Sequence, residues 1–247
     1  MPGLNSTRAE AAERAAHLAV DSYELTLDLT AGSEVFISKT IIKFSCNKSG
    51  YDSFIDAVGK NVISASLNGQ VLDTSNYDGE SIFLKNLQLD NELVIEMNGL
   101  YSNTGEGLQR SVDPVDEQVY IYSQGETAFI RKMYPCFDQP DLKATFTLTV
   151  IAPSHWQVIS NNPESQKVDL GSDKSKWSFT TTPRISTYIT ALIAGPYYNV
   201  QDEYVGKKKV PLGIYCRKSL AEFLDPEDIF LITKQGFAYF EKVFGLE

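Results

Sequence analysis

The chain has 247 residues, enough for one large all-β domain or about one and a half ordinary ones, with a substantial buried core. With 43% hydrophobic and 22% charged residues it has the composition of a soluble globular protein. Its formal net charge of −10 argues against a nucleic-acid backbone or an anionic membrane surface as main partner, and leaves room for a cationic ligand.

The elements read as follows from the N-terminus. Thr7 to His17 is predicted as a short helix, with Thr7 and Glu10 at capping-box spacing in an alanine-rich, charged stretch that has no apolar signal core. Tyr23, Leu25, Leu27 and Leu29 alternate with Glu24, Thr26 and Asp28, the period of a half-buried strand. Similar runs are predicted at Val35–Phe44, Ser81–Leu84, Leu93–Met97, Val119–Tyr122, Thr145–Val150, Lys176–Thr181 and Tyr188–Ala194, rich in β-branched and aromatic residues. Asn68-Gly69, between Val62–Leu67 and Val71–Leu72, predicts a hairpin, because both residues tolerate the positive φ of a type I′ turn. Roughly ten strands with almost no helix between them predict an all-β fold, an antiparallel curled sheet or sandwich. Lys207–Lys209 reads as a solvated hairpin tip.

Near the C-terminus the pattern changes. Asp225 can cap, Pro226 suits the first helical position, Glu227 and Asp228 complement the helix dipole, and Gly245 can end the helix. Ile229, Ile232, Phe237, Phe240, Val243 and Phe244 fall roughly on one face. An amphipathic helix there reads as the opening of a second, truncated domain, with the boundary near Gly195–Val200. The expected division is 1–199 and 200–247. No apolar run approaches the ~18 residues of a spanning helix. The widely spaced Cys46, Cys136 and Cys216 suit reduced thiols, so the expected location is cytoplasmic, without membrane insertion.

The stretch Ser123 to Phe146 holds the candidate chemistry. Gln124 and Glu126 are two residues apart, hence on one face if the strand continues through them, and an amide beside a carboxylate suits a primary ammonium. Arg131 or Lys132 nearby can keep Glu126 ionised and oriented. On spacing alone the plainer reading, two polar residues lining a solvent face, has the stronger claim, because Q-x-E is common. Cys136 reads as a buried small hydrophobe, and Asp138, Pro140 and Asp141 as turn residues. The chain's two histidines, His17 and His155, read as structural or exposed, and no H-E-x-x-H occurs. Neither catalytic residues nor metal ligands are expected in this chain.

The run TAFIRKMYPCFDQPDLKATFTLTV resembles the hallmark of zinc aminopeptidases of the aminopeptidase N family, gluzincins. There an arginine pair precedes a phenylalanine-proline-cysteine-phenylalanine-aspartate-glutamate-proline run and a lysine-alanine strand. Gly105-Glu106-Gly107-Leu108 resembles the glycine-rich turn before that hallmark, Ser160-Asn161-Asn162-Pro163 its serine-asparagine turn, and Leu192-Ile193-Ala194-Gly195 the strand closing its first domain. Tyr239-Phe240-Glu241-Lys242 with Phe244-Gly245 is similar to the helix leading into the catalytic domain. The likeness runs in order from about Tyr23 to the last residue and is nearest to the bacterial cytosolic branch. Three positions depart from the pattern: Lys132 replaces the second arginine, Tyr134 a phenylalanine and Gln139 a glutamate.

The resemblance implies a saddle-like β-rich N-terminal domain followed by the start of a thermolysin-like one. The family's threonine-glutamine-x-glutamate motif matches Ser123-Gln124-Gly125-Glu126, so Gln124 and Glu126 would bind the α-amine of a peptide substrate. In the full-length enzyme zinc, held by two histidines and a glutamate further along, would polarise the scissile carbonyl and activate a water. This chain would then partner the rest of its own catalytic domain and be inactive alone. The alternatives are a stand-alone β-sandwich binding module and a non-catalytic relative that serves as an interaction platform.

Overall fold

The computed structural model describes residues 6–75 and 77–245. Helix α1 (Arg8–His17) starts as its sequence dictates: the Thr7 side chain accepts from the Glu10 amide while the Glu10 carboxylate accepts from the Thr7 amide. It leads into β1 (Leu18–Asp28) and β2 (Val35–Cys46), then β3 (Tyr51–Asp56), β4 (Asn61–Leu67) and β5 (Gln70–Val71). Asn68 and Gly69 both have positive φ, 53° and 78°, so the β4–β5 turn forms where the Asn-Gly pair predicts it. Next come β6 (Ser81–Leu87), β7 (Asp90–Leu100), β8 (Gly107–Val112), β9 (Val119–Gln124), β10 (Thr145–Pro153) and β11 (Gln157–Ser160). The remaining elements are β12 (Glu164–Gly171), β13 (Lys174–Phe179), β14 (Leu192–Gly195), β15 (Tyr198–Val205), β16 (Lys209–Cys216) and helix α2 (Pro226–Phe244).

Tertiary contacts divide the chain into two compact units. The first comprises the N-terminal residues through Ser111 together with Ile121–Ala194, and the second Val112–Tyr120 together with everything from Gly195 onward. The first unit is built on an eight-stranded sheet in the order β12-β13-β10-β1-β2-β7-β4-β5. Its pairings are antiparallel except one: β1 runs parallel to β10, with Leu25 opposite Leu148. The fold is thus all-β and mainly antiparallel, with one parallel pair made between strands far apart in sequence.

One face of this sheet is buried with a period of two. Tyr23, Leu25 and Leu27 of β1, Phe36, Ile42 and Phe44 of β2, Leu93, Ile95 and Met97 of β7, and Phe146, Leu148 and Val150 of β10 all point inward. The irregular segment after β9 packs onto that face. Tyr23 stacks on Phe146 with centroids 4.7 Å apart, Phe137 meets Phe44 edge-on at 5.1 Å, and the Phe137 amide donates to the Tyr23 hydroxyl. Gly99 lies opposite Phe36, whose ring occupies the space a Cβ would need.

Two of the expected strands lose more than one residue at an end. The run Tyr188–Ala194 is not one strand: Thr187–Ile189 forms a 3-10 turn, and β14 begins only at Leu192. The Thr190 amide and hydroxyl both bond the Thr187 carbonyl, which curls the chain at that point. Strand β13 likewise ends at Phe179, short of Thr181.

In the second unit β15 and β16 form a hairpin whose tip holds Lys207 and Lys208 in solvent, with Lys209 opening β16. Helix α2 starts with Pro226 in its first turn and ends at Gly245 in the left-handed region, φ 65°. Asp225 occupies the cap position but its side chain makes no capping bond. Of the helix's apolar residues only Phe230 is buried, and Ile232, Phe240 and Phe244 are more than half exposed. Phe237 stacks on Tyr204 of β15 at 5.0 Å, and Lys234 pairs with Asp202 at 2.6 Å.

Candidate functional site

Strand β9 ends at Gln124, and the chain then turns. Gly125 sits where an added Cβ would lie 2.7 Å from the Tyr188 carbonyl oxygen and about as close to Ile130, so only glycine fits the bend. Residues 126–129 form the turn, closed by the Phe129 amide donating to the Gly125 carbonyl at 3.1 Å, and a 3-10 turn at Ile130–Lys132 follows. Gln124 and Glu126 are therefore not two positions of one strand: Glu126 lies beyond the strand, on the turn. Both are exposed, and neither side chain has a hydrogen-bond or ion-pair partner among the described residues.

The floor under this turn is fixed from several sides. The Ser123 hydroxyl accepts from the Leu192 amide at 2.8 Å. The Asn161 side chain takes the Ala191 amide and gives to the Ile189 carbonyl, at 2.7 and 2.8 Å, and Ser160 donates to the Ala191 carbonyl. The serine-asparagine turn singled out in the sequence thus holds the segment on whose Tyr188 carbonyl Gly125 rests.

Arg131 and Lys132 do not orient Glu126. Arg131 turns inward, its Nε 2.9 Å from Asp138 and its Nη1 2.9 Å from Asp56. Lys132 pairs with Glu106 of the glycine-rich turn at the surface. The neighbours part because a guanidinium satisfies two buried carboxylates in fixed directions, whereas an ammonium is held better in water. That arrangement also locates the departure at Lys132 in a place where no fork is needed.

Asp138, expected as turn punctuation, is instead a buried ion-pair partner. It accepts from Arg131 and from the Thr187 hydroxyl at 3.1 Å, while its amide donates to Asp56 at 3.1 Å. Arg14 of α1 completes the group, 3.2 Å from Asp56 and 3.0 Å from the Gln139 side-chain oxygen. Burial pushes the Asp138 carboxyl up, against the pull of Arg131. Burial is also the largest effect on Arg131, downward, yet Asp56 and Asp138 outweigh it and raise that group. The geometry supports the ionised form, with charged or hydroxyl donors on both Asp138 oxygens.

The other departures have local reasons. The Gln139 amide gives to the Ala11 carbonyl at 2.9 Å while accepting from Arg14, which a glutamate in its place would do only in part. The Tyr134 hydroxyl finds Thr190 Oγ1 at 2.9 Å and the Thr187 carbonyl. Cys136 is fully buried, and burial pushes its thiol well above the usual range, which suits a core residue and not a nucleophile. His17 contacts Asn47 at 2.8 Å, and His155 lies 3.5 Å from Asp173. Among the described residues no three His, Cys, Asp or Glu side chains are grouped to hold a metal.

Comparison with known proteins agrees with this architecture. A family match described as Peptidase M1 N-terminal domain covers residues 19–189. The chain is 48% identical to an aminopeptidase N of Streptomyces lividans over 99% of its own length and 28% of that protein's. It is 28% identical to a probable aminopeptidase 2 of Sulfurisphaera tokodaii over 93% of its length and again 28% of the relative's. It therefore spans little more than a quarter of these relatives. A crystal structure of Legionella pneumophila aminopeptidase A in complex with aspartic acid shares the fold. Its TM-score is 0.83 at 20% identity, over 94% of this chain and 27% of that one. With the hallmark segment buried against a β-rich scaffold and the match extending over most of the first unit, the chain belongs to the Peptidase M1 N-terminal domain family.

Proposed function

We propose that this chain forms the substrate-amine anchor of a zinc aminopeptidase that removes N-terminal residues from peptides. The observation that supports it most is the pair Gln124 and Glu126, an exposed amide and carboxylate without partners among the described residues, on either side of a glycine that fixes their spacing. The two acceptors would take the protons of a free α-ammonium, Glu126 through charge-assisted bonds and Gln124 through its amide oxygen. An anchor set one residue from the scissile bond restricts cutting to the first residue, because an internal peptide bond presents no ammonium there.

In this reading residues 200–247 open the catalytic domain, and the zinc ligands and general base belong to the rest of the full-length enzyme. The three cysteines are all free, which supports a reducing, cytoplasmic setting, and no described helix is long and apolar enough to cross a membrane. The chain alone is expected to release no amino acid from alanyl anilides. Chelator-sensitive release by the purified chain, free of contaminating protease, would overturn that expectation.

The decisive substitution is Glu126→Ala in the intact enzyme. Truncating one partner of a desolvated charge pair costs about 2–5 kcal/mol, so kcat/KM for an alanyl anilide is expected to fall roughly 30- to 4,000-fold. Hydrolysis at the unsubstituted rate would remove Glu126 from the anchor.

A further inference from the structure

The turn that carries Glu126 is open on one side. A cleft of about 240 Å³ lies there, lined by Thr127 and Ala128 of the turn and by Arg14, Arg131, Asp138 and Gln139. The turn is open to that cleft, and polar ties run from its two ends.

Both ends lead to one carboxylate. At the C-terminal end Arg131 donates from Nε to Asp138 Oδ2 at 2.9 Å, and its backbone amide points at the same oxygen at 3.4 Å. At the N-terminal end Gly125 rests on the Tyr188 carbonyl, and the residue before it, Thr187, donates its hydroxyl to Asp138 Oδ1 at 3.1 Å. Asp138 is itself placed from outside the turn: its amide donates to Asp56, which also receives Arg131 and Arg14 of α1.

We propose that Asp138 is a positioning residue for the amine anchor, its two oxygens tying Arg131 and Thr187 so that the intervening turn presents Glu126 at a fixed distance from Gln124. The inference rests on the reading of Glu126 as the anchor. Its consequence for catalysis is geometric, because displacing a binding group by about 1 Å can cost on the order of 100-fold. Asp138 touches no substrate in this scheme. The N-terminal helix becomes part of the device through Arg14, although it lies outside the sequence motif.

Thr187→Val in the intact enzyme is the test, since it removes only the hydroxyl and keeps the side chain's shape, and Thr187→Ser restores the hydroxyl. Thr187→Ala serves if the valine variant does not fold. Three quantities are read: KM and kcat for an alanyl anilide, hydrogen exchange at the Phe129 amide that closes the turn, and the thermal midpoint. The expected result is a KM about tenfold higher with kcat little changed, faster exchange at Phe129, and return of both in Thr187→Ser. Unchanged KM and exchange in a folded hydroxyl-free variant, while Glu126→Ala lowers kcat/KM roughly 30-fold or more, would sink the positioning role and leave the anchor standing. A harmless Glu126→Ala would remove the anchor and the positioning role with it. A fall in thermal midpoint with no change at Phe129 would also refute positioning, because it would reduce Thr187 to general stability.

Discussion

The eight-stranded sheet and the segment from Gln124 to Ala144 are neighbours held by different physics. In the sheet every second residue of a strand goes inward, and the buried set is almost wholly apolar: Leu25, Leu27, Ile42, Leu93, Ile95, Val150. Such contacts are many, individually small and non-directional. In the segment the buried set includes Arg131, Asp138 and Gln139, joined by Arg14 and Asp56 from elsewhere. Those groups are satisfied mainly by one another, with Thr187 and the Ala11 carbonyl adding one bond each. A sheet of this kind absorbs a trimmed side chain locally, whereas a network of buried charges fails as a unit when a member is lost.

That contrast is broken most forcefully at Arg131. Arg131→Ala leaves the Asp56 and Asp138 carboxylates buried without their common partner, and the expected loss is about 3–5 kcal/mol. Lys132→Ala, one residue on, removes a pair whose members are each about one-third exposed, and is expected to cost less than about 1 kcal/mol. Chemical denaturation of the two variants side by side checks both. Equal losses would mean that the buried network contributes no more than a surface pair, and the distinction between sheet and segment would collapse.

What the sequence disclosed follows the same division. Strands β1, β2 and β7 were readable because burial on one face imposes a period of two, and the Asn68-Gly69 turn because positive φ selects those residues. Strand β12 was not: at the sheet's edge, all but Val168 of its residues are exposed, so burial imposes no alternation. The parallel β1–β10 pairing leaves no local mark either. In the segment, Asp138 reads locally as a turn residue: Arg131 is seven positions away, but Asp56, which its amide meets, lies 82 away, and nothing near Asp138 shows that it is buried. Arg14 has the same difficulty: in an alanine-rich helix it looks like a surface charge, yet it is 3% exposed. Gln124 and Glu126 were singled out by their spacing, which wrongly continued the strand through Glu126, and the resemblance alone gave the pair its expected role. Gly125, the cause of that error, was legible in kind, because a glycine inside a strand pattern often marks a close backbone approach.

The smallest effect tests the sheet from the other side, through the few polar groups it buries. Thr40 of β2 lies between Leu25 of β1 and Ile95 of β7, fully buried, and its hydroxyl has no hydrogen-bond partner among the described residues. Ser38 on the same face is in the same position. A buried hydroxyl without a partner has lost its water and gained nothing in return, and replacing it by a methyl of the same shape removes that penalty. Thr40→Val is therefore expected to raise stability, by up to about 1 kcal/mol, where removing a hydroxyl that ties into the segment, as in Thr187→Val, lowers the order of the turn. The thermal midpoint of the Thr40→Val variant decides it. A clear fall would mean that the hydroxyl has a partner, such as an internal water, and that the sheet too depends on directed polar contacts. A rise or no change would confine such dependence to the segment that carries the anchor.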